Sequence, residues 1–161
     1  MQQKNRKLIL NLTDLISLCS QYKKDNKKII MTNGCFDILH VGHAHILKES
    51  RKMGDVLIVA LNSDKSINSI KGDNRPIMKQ DERAYILSNL EPVSHIFIFD
   101  EETPEKIICE ILPDILVKGS DYKDKEVAGE DCLRKHNKKV VLVDLLDGYS
   151  STNIINKILK S

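Results

Sequence analysis

Two histidines in one helical turn, His40 and His43, are the side chains in this sequence best placed to act together. At this spacing near the start of a helix, both imidazoles lie on the same face. Gly42 between them leaves the backbone open to a closely approaching ligand. Because a helix start also offers free N–H groups and the positive end of a dipole, the arrangement suits a phosphate. We predict a phosphate clamp made of two imidazole donors and backbone amides.

The same histidines also allow a metal site. Cys35 precedes His40 and His45 follows His43, so a metal-dependent hydrolase could draw its ligands from this segment. No second Cys/His cluster supplies the usual ligand spacing, however. We interpret His45 as a surface residue because it points away from the face that His40 and His43 share. The phosphate clamp is therefore the preferred interpretation.

The composition indicates one globular domain. The 161 residues are 41% apolar, and a formal net charge of +2 gives no reason to expect nucleic acid or an anionic membrane as a partner. No apolar run is long enough to span a bilayer and no signal peptide begins the chain, so we expect a cytoplasmic protein. No C-x-x-C pair is present, and we expect the four cysteines to be reduced thiols that mostly serve packing: Cys19, Cys35, Cys109 and Cys132.

Apolar runs separated by helical patterns predict the fold. The runs lie at residues 28–32, 55–61, 95–99, 114–117 and 140–143, and they are apolar throughout rather than alternating. This indicates parallel strands covered on both faces. Helices are predicted over residues 12–22, from Val41 to an end at Gly54, after the N-cap Thr103, and from residue 150. We expect an α/β, doubly wound, five-stranded parallel sheet with helices on both faces, residues 1–161 forming a single domain and 1–26 a helical extension packed on it.

Charged residues follow the predicted strands at the edge where open parallel sheets bind ligands. Lys71 and Arg75 lie in a polar loop and could bind phosphate or simply be solvated. Arg83, near a helix start, could reach a phosphate or form a local ion pair. Asp37 cannot bind phosphate directly, but it could orient its loop, hold Mg²⁺ through water or cap a turn.

Two further segments follow later strands. Gly119 permits close approach of a base or sugar and Asp121 suits ribose hydroxyls, although a turn would also use Gly and Asp. The hydroxyls at 150–152 open the last predicted helix and could hold the β- and γ-phosphates or be an ordinary N-cap. Beside the first helix start, they would form the second side of a triphosphate cleft.

The segment His40-Val41-Gly42-His43 matches the H-x-G-H signature of the nucleotidyltransferase superfamily that includes the cytidylyltransferases. From about residue 27 to 159 the chain resembles the D-glycero-β-D-manno-heptose 1-phosphate adenylyltransferases. This activity is often the C-terminal half of a bifunctional ADP-heptose synthase that also carries a sugar kinase, and we expect a stand-alone transferase here. The resemblance rests on residues 32–37, 61–64, 71–77, 112–122 and 147–155.

The resemblance implies a Rossmann-like fold and transfer of AMP from ATP to a heptose 1-phosphate, with pyrophosphate as the second product. It implies Mg²⁺ bound with ATP and a homodimer. The catalytic residues implied are His40, His43, Lys71 and Arg83. The nucleotide-binding residues implied are Cys35, Phe36, Gly42, Gly119, Asp121, Gly148, Ser150, Ser151 and Thr152. The substrate-binding residues implied are Asn33, Asp37, Lys71 and Arg75.

Other functions share parts of this pattern. Glycerol-3-phosphate cytidylyltransferase and FMN adenylyltransferase also carry H-x-G-H, but the segments at 71–77 and 116–122 favour a heptose phosphate. A non-catalytic nucleotide sensor with a degenerate site is the alternative from outside the enzymes.

Overall fold

A computed structural model describes residues 7–160 of the chain. Strands and helices alternate along it, as the apolar runs predict. The strands are β1 (Leu8–Ile9), β2 (Ile29–Gly34), β3 (Val56–Asn62), β4 (His95–Phe99), β5 (Ile115–Gly119) and β6 (Lys139–Val143). The helices are α1 (Leu12–Lys24), α2 (Val41–Arg51), α3 (Asp64–Lys71), α4 (Gln80–Ser88), α5 (Glu105–Ile111), α6 (Glu130–Lys135) and α7 (Ser151–Leu159), with a short 3₁₀ helix at Ser120–Tyr122.

The sheet is parallel and has the strand order β1-β4-β3-β2-β5-β6. The parallel α/β fold is confirmed, but the sheet has six strands rather than the expected five. The additional strand, β1, pairs with β4 through Leu8 and Ile9 alone, which is too short to produce an apolar run in the sequence. The strand order reverses between β2 and β5, and such a switch point leaves a crevice at the carboxyl ends of these strands.

The core lies on both faces of the sheet. All seven residues of β3 are buried, and alternate residues enter two different clusters. Met31 and Ile58 pack beneath α1 and α5, whereas Leu57 and Val59 pack beneath α2 and α4. Burial of both faces explains why the strand sequences do not alternate between apolar and polar residues.

The helix that carries the histidine pair begins where the sequence predicts. His40 is its N-cap, and Nδ1 accepts a hydrogen bond from the backbone N–H of Gly42 at 3.1 Å. The helix ends at Arg51, however, before the expected terminator Gly54. Gly54 is instead required by packing, because a Cβ there would lie 2.7 Å from Cγ1 of Ile30.

The last helix, α7, also begins as predicted. Ser150 is its N-cap and accepts a hydrogen bond from the backbone N–H of Asn153 at 3.0 Å. The expected N-cap Thr103 is wrong, since α5 begins after Pro104 and has no side-chain cap. Pro104 lacks an N–H, so the helix starts with one fewer donor to satisfy.

The expectation that all four cysteines are reduced thiols is wrong for two of them. Cys109 on α5 and Cys132 on α6 form a disulfide, with their Cα atoms 5.5 Å apart. Their separation of 23 residues gives no sign of this pairing, which depends on the two helices lying side by side. Cys19 is buried in the core and Cys35 is a half-buried free thiol.

None of the helices between residues 7 and 160 has the length and apolar character needed to cross a membrane. Of the predicted N-terminal extension, residues 1–6 lie outside the described residues. The remainder contains β1, which joins the sheet, and α1, which buries Leu15 and Cys19.

Candidate active site

A cavity of about 740 Å³ opens at the carboxyl ends of β2 and β5, where the strand order reverses. The start of α2 and the start of α7 both line it. Ser151 Oγ donates a hydrogen bond to the backbone oxygen of Asp37, which ties the two segments together. The predicted site residues on its wall are Asn33, Cys35, Phe36, Asp37, His40, Gly42, His43, Lys71, Gly119, Asp121, Ser150, Ser151 and Thr152.

The two imidazoles of the H-x-G-H segment are stacked. Their ring centroids lie 3.8 Å apart with 24° between the planes, and Phe36 packs on His43 at 5.1 Å. Because Nδ1 of His40 accepts the Gly42 N–H, the neutral ring carries its proton on Nε2. His40 therefore caps the helix with one nitrogen and keeps the other as a donor.

Both rings favour the neutral form. Burial, helped by positive charge on His40 and Lys71 and opposed by the Asp37 carboxylate, lowers the pKa of His43 to about 4. Burial also lowers the pKa of His40. Near pH 7 the pair thus offers N–H donors rather than two positive charges. Nδ1 of His43 is buried without a hydrogen-bond partner among residues 7–160, and such an atom ordinarily has one.

Asp37 holds the loop between β2 and α2 in place. It accepts hydrogen bonds from the backbone N–H groups of Ile77 and Met78 and from Nε of Arg75, each at 2.9 Å. Burial alone would raise the pKa of Asp37, but these three donors outweigh it and lower the pKa. Both carboxylate oxygens are engaged, which supports the loop-orienting interpretation over a role in holding Mg²⁺.

The same loop contains an unfavourable backbone. Phe36 and Ile38, on either side of Asp37, have φ angles of 48°, a region that costs non-glycine residues free energy. The bonds to Asp37 hold the loop in this conformation. Its effect is to bring the segment before His40 against the cavity.

Two residues expected to bind ligands lie outside the cavity wall. The Arg75 guanidinium is committed to Asp37, with an N···O distance of 2.8 Å. Gly148 precedes α7 with φ of 82° and serves a turn that leads into Ser150. The Arg75–Asp37 ion pair favours a positioning role for Arg75, and the nucleotide contact expected of Gly148 stays a prediction.

Arg83 requires the largest correction. Its side chain is 0% exposed and does not line the cavity. The guanidinium donates to the backbone oxygens of Met78, Cys35 and Asn62, at 3.0, 2.6 and 2.8 Å, and to Oδ1 of Asp64 at 2.7 Å. Arg83 therefore joins the ends of β2 and β3 and acts as a positioning residue rather than the expected catalytic one. The ion pair that the sequence allowed is present, but it is not local, because Asp64 lies 19 residues before Arg83.

Lys118, the fourth residue of β5, lines the cavity although sequence reasoning assigned it no role. It is 5% exposed, and Nζ donates to Oδ1 of Asn33 at 2.8 Å. One feature of the sequence could have indicated this buried position: the lysine continues an apolar strand, where a hydrophobic residue is usual.

The described part of the chain does not contain the ligand set that the metal alternative needs. Residues 7–160 contain no group of three or more His, Cys, Asp or Glu side chains arranged to hold a metal ion. The phosphate clamp stays a prediction.

A parallel sheet with this crevice, carrying H-x-G-H on the helix that borders it, defines a nucleotidyltransferase. Residues 31–157 match the family model described as Cytidylyltransferase-like, and the chain belongs to this family.

Curated relatives share nearly the whole chain. The bifunctional protein HldE of Geobacter metallireducens is 45% identical over 153 residues, covering 95% of this chain and 31% of that protein. The bifunctional protein HldE of Campylobacter concisus is 49% identical over 148 residues, covering 92% and 30%. The chain therefore spans about a third of the length of these relatives.

Solved structures agree on the fold. A lipopolysaccharide core biosynthesis protein from Thermoplasma volcanium is 34% identical, with a TM-score of 0.61 over 77% of this chain and 99% of that one. Pantoate-beta-alanine ligase from Francisella tularensis, complexed with an ATP analogue and beta-alanine, has a TM-score of 0.64 over 96% of this chain and 79% of that chain. At 18% identity the second comparison bears on the fold alone.

Proposed function

We propose that this chain transfers AMP from ATP to a heptose 1-phosphate, giving ADP-heptose and pyrophosphate. The observation that carries the proposal is the meeting of two helix N-termini, those of α2 and α7, on one cavity. The HldE relatives support the heptose 1-phosphate over glycerol 3-phosphate or FMN as acceptor.

The proposed reaction is an in-line displacement. An oxygen of the sugar phosphate bonds to the α-phosphorus while the bond from that phosphorus to the bridging oxygen of pyrophosphate breaks. The attacking oxygen is already an anion, so no general base is needed. Positioning the two anions can lower the barrier by roughly 7–11 kcal/mol. The remaining demand is stabilisation of the charge that moves to pyrophosphate.

The donors around the cavity meet that demand. The imidazoles of His40 and His43 donate N–H groups, and the hydroxyl of Thr152 joins the N–H groups at the start of α7, while the Ser151 hydroxyl is used in its bond to Asp37. Lys71, the exposed last residue of α3, supplies a mobile positive charge beside them. We assign the histidines to the leaving pyrophosphate and Lys71 to the phosphates that react.

The proposed reaction uses Mg²⁺ that is bound to ATP. The chain offers it no cage of acidic ligands among residues 7–160, and Asp37 is occupied by its own donors. This fits an ion held by phosphate oxygens and water, as Mg²⁺ often is. Its chemistry when bound is to neutralise charge on the triphosphate.

The proposal also covers the domain organisation, the oligomeric state, the location and the use of the product. We propose that residues 1–161 form one nucleotidyltransferase domain, that it acts as a homodimer in the cytoplasm, and that its product is a precursor of lipopolysaccharide or another surface glycan. The sheet supports the first point, since β1 and α1 pack on the remaining elements.

A substrate panel tests the proposal. ATP, CTP and GTP are each offered with heptose 1-phosphate, glycerol 3-phosphate and FMN in the presence of Mg²⁺, and pyrophosphate release is measured. We expect release with ATP and heptose 1-phosphate, and its loss when EDTA removes Mg²⁺. Release with CTP and glycerol 3-phosphate alone would contradict the proposal, as would activity that resists EDTA. No release with any pair would favour the nucleotide sensor.

A further inference from the structure

Lys118 lies at the point where the strand order reverses. In the register of β2 and β5, Thr32 pairs with Val117. The next residue on each strand, Asn33 on β2 and Lys118 on β5, therefore lies at the adjacent strand ends. The hydrogen bond from Lys118 Nζ to Asn33 Oδ1 crosses this gap on the cavity wall. Ligands of open α/β sheets bind at this position.

The surroundings of Lys118 are nearly all uncharged. Its ammonium group lies over the ring of Tyr122, 4.2 Å from the centroid, and donates to the Asn33 side-chain amide oxygen. Within the described part of the chain no carboxylate oxygen lies within 4.0 Å of Nζ. The nearby Asp121 instead pairs with Lys125 at 3.6 Å. A buried cation without a counter-charge is costly, and packing alone would be served better by an apolar residue.

We propose that Lys118 binds a phosphate group of a substrate at the β2–β5 switch point, with Asn33 holding the ammonium group in place. The inference rests on the proposed function for the identity of that substrate. The phosphate comes from either of two sources, the nucleotide or the sugar phosphate, and both present the same anionic oxygens. In each case the ligand supplies a directly paired negative charge, whereas the nearest described carboxylate, Asp121, acts only from beyond ion-pair distance.

The proposal predicts a proton uptake. Burial lowers the pKa of Lys118 to about 8 even though the Asp121 carboxylate acts to raise it. Asp121 and Tyr122 face the lysine from the 3₁₀ helix, whereas its neighbours on β2 and β6 are the uncharged Asn33 and Leu142. Near pH 8 part of the lysine is therefore expected to lack its proton, and a bound phosphate would restore it by raising the pKa.

Calorimetric titration measures both binding and proton uptake when it is repeated at pH 8 in buffers of different ionisation enthalpy. The two ligands are heptose 1-phosphate and an ATP analogue with a methylene group between the α- and β-phosphorus. We expect at least one to bind wild type with a net uptake of protons. Lys118→Met should weaken that ligand by about 10- to 100-fold, the range for one charge-assisted hydrogen bond. Lys118→Arg should abolish the uptake, because guanidinium does not titrate near pH 8.

Lys125→Met is the matched control. Lys125 also contacts the Tyr122 ring, at 5.2 Å, but its side chain is exposed. Its replacement by methionine therefore removes one positive charge from the same ring and leaves the buried lysine in place. An effect confined to one ligand identifies the source of the phosphate. Unchanged affinity and uptake for both ligands in Lys118→Met would overturn the proposal, and so would absence of binding to the wild type. If the ATP analogue behaves as expected while heptose 1-phosphate does not bind, the proposed function fails and the role of Lys118 stands.

Discussion

Replacement of His43 by alanine is expected to lower kcat by about 10²–10³, the usual cost of losing one preorganised donor to developing charge. The ring is held in a stack with His40, only 3.8 Å away, and its low pKa keeps it a neutral donor near pH 7. Because the donor acts as charge moves to pyrophosphate, kcat and kcat/KM should fall together. Steady-state pyrophosphate release with ATP and heptose 1-phosphate measures both.

The same loss is expected for His40→Ala, with a second effect. This residue is also the N-cap of α2, so its removal should destabilise the protein by about 1 kcal/mol. His40→Asn retains a capping side chain and separates the two effects. His45→Ala, on the same helix but outside the cavity wall, is the matched control. Near-normal turnover in both His40→Ala and His43→Ala would refute the clamp.

Replacement of Arg83 by methionine is expected to reduce the free energy of unfolding by about 3 kcal/mol. The guanidinium satisfies three backbone oxygens and Asp64, and methionine satisfies none of them. The cost comes from buried acceptors left without donors, whereas Asp64 is partly exposed and can regain water. Lysine should rescue little of it, because a point charge cannot reach four acceptors arranged for a planar fork. Denaturant unfolding measures the change.

Activity should fall along with stability, since Arg83 binds the backbone oxygen of Cys35 in the loop before His40. Arg134→Met is the control: Arg134 pairs with Asp131 on an exposed helix surface, where an ion pair contributes little. Stability of Arg83→Met equal to that of wild type would show that the buried network does not hold the loop.

The parts of the site that local sequence controls were predictable. His40 caps α2 and Ser150 caps α7 because side-chain acceptors at these positions satisfy free N–H groups, a preference visible in the sequence. The central strands were predictable for a similar reason, since burial on both faces leaves apolar runs. The meeting of the two helix starts then follows from the parallel sheet.

Features that depend on tertiary contact were not predictable. Arg83 looks like any helical arginine until the fold places three backbone oxygens around it. The Cys109–Cys132 disulfide needs α5 and α6 side by side, and β1 needs the edge of β4. Lys118 reads as a polar strand end, and its burial emerges only when Asn33 and Tyr122 close around it.

A crystal structure of the protein with the methylene ATP analogue and Mg²⁺ tests the shared cleft most directly. We expect β- and γ-phosphate oxygens within about 3 Å of the imidazole nitrogens of His40 or His43 and of the Thr152 hydroxyl or the backbone N–H groups of Ser151 and Thr152. A triphosphate bound elsewhere, out of reach of either helix start, would contradict it.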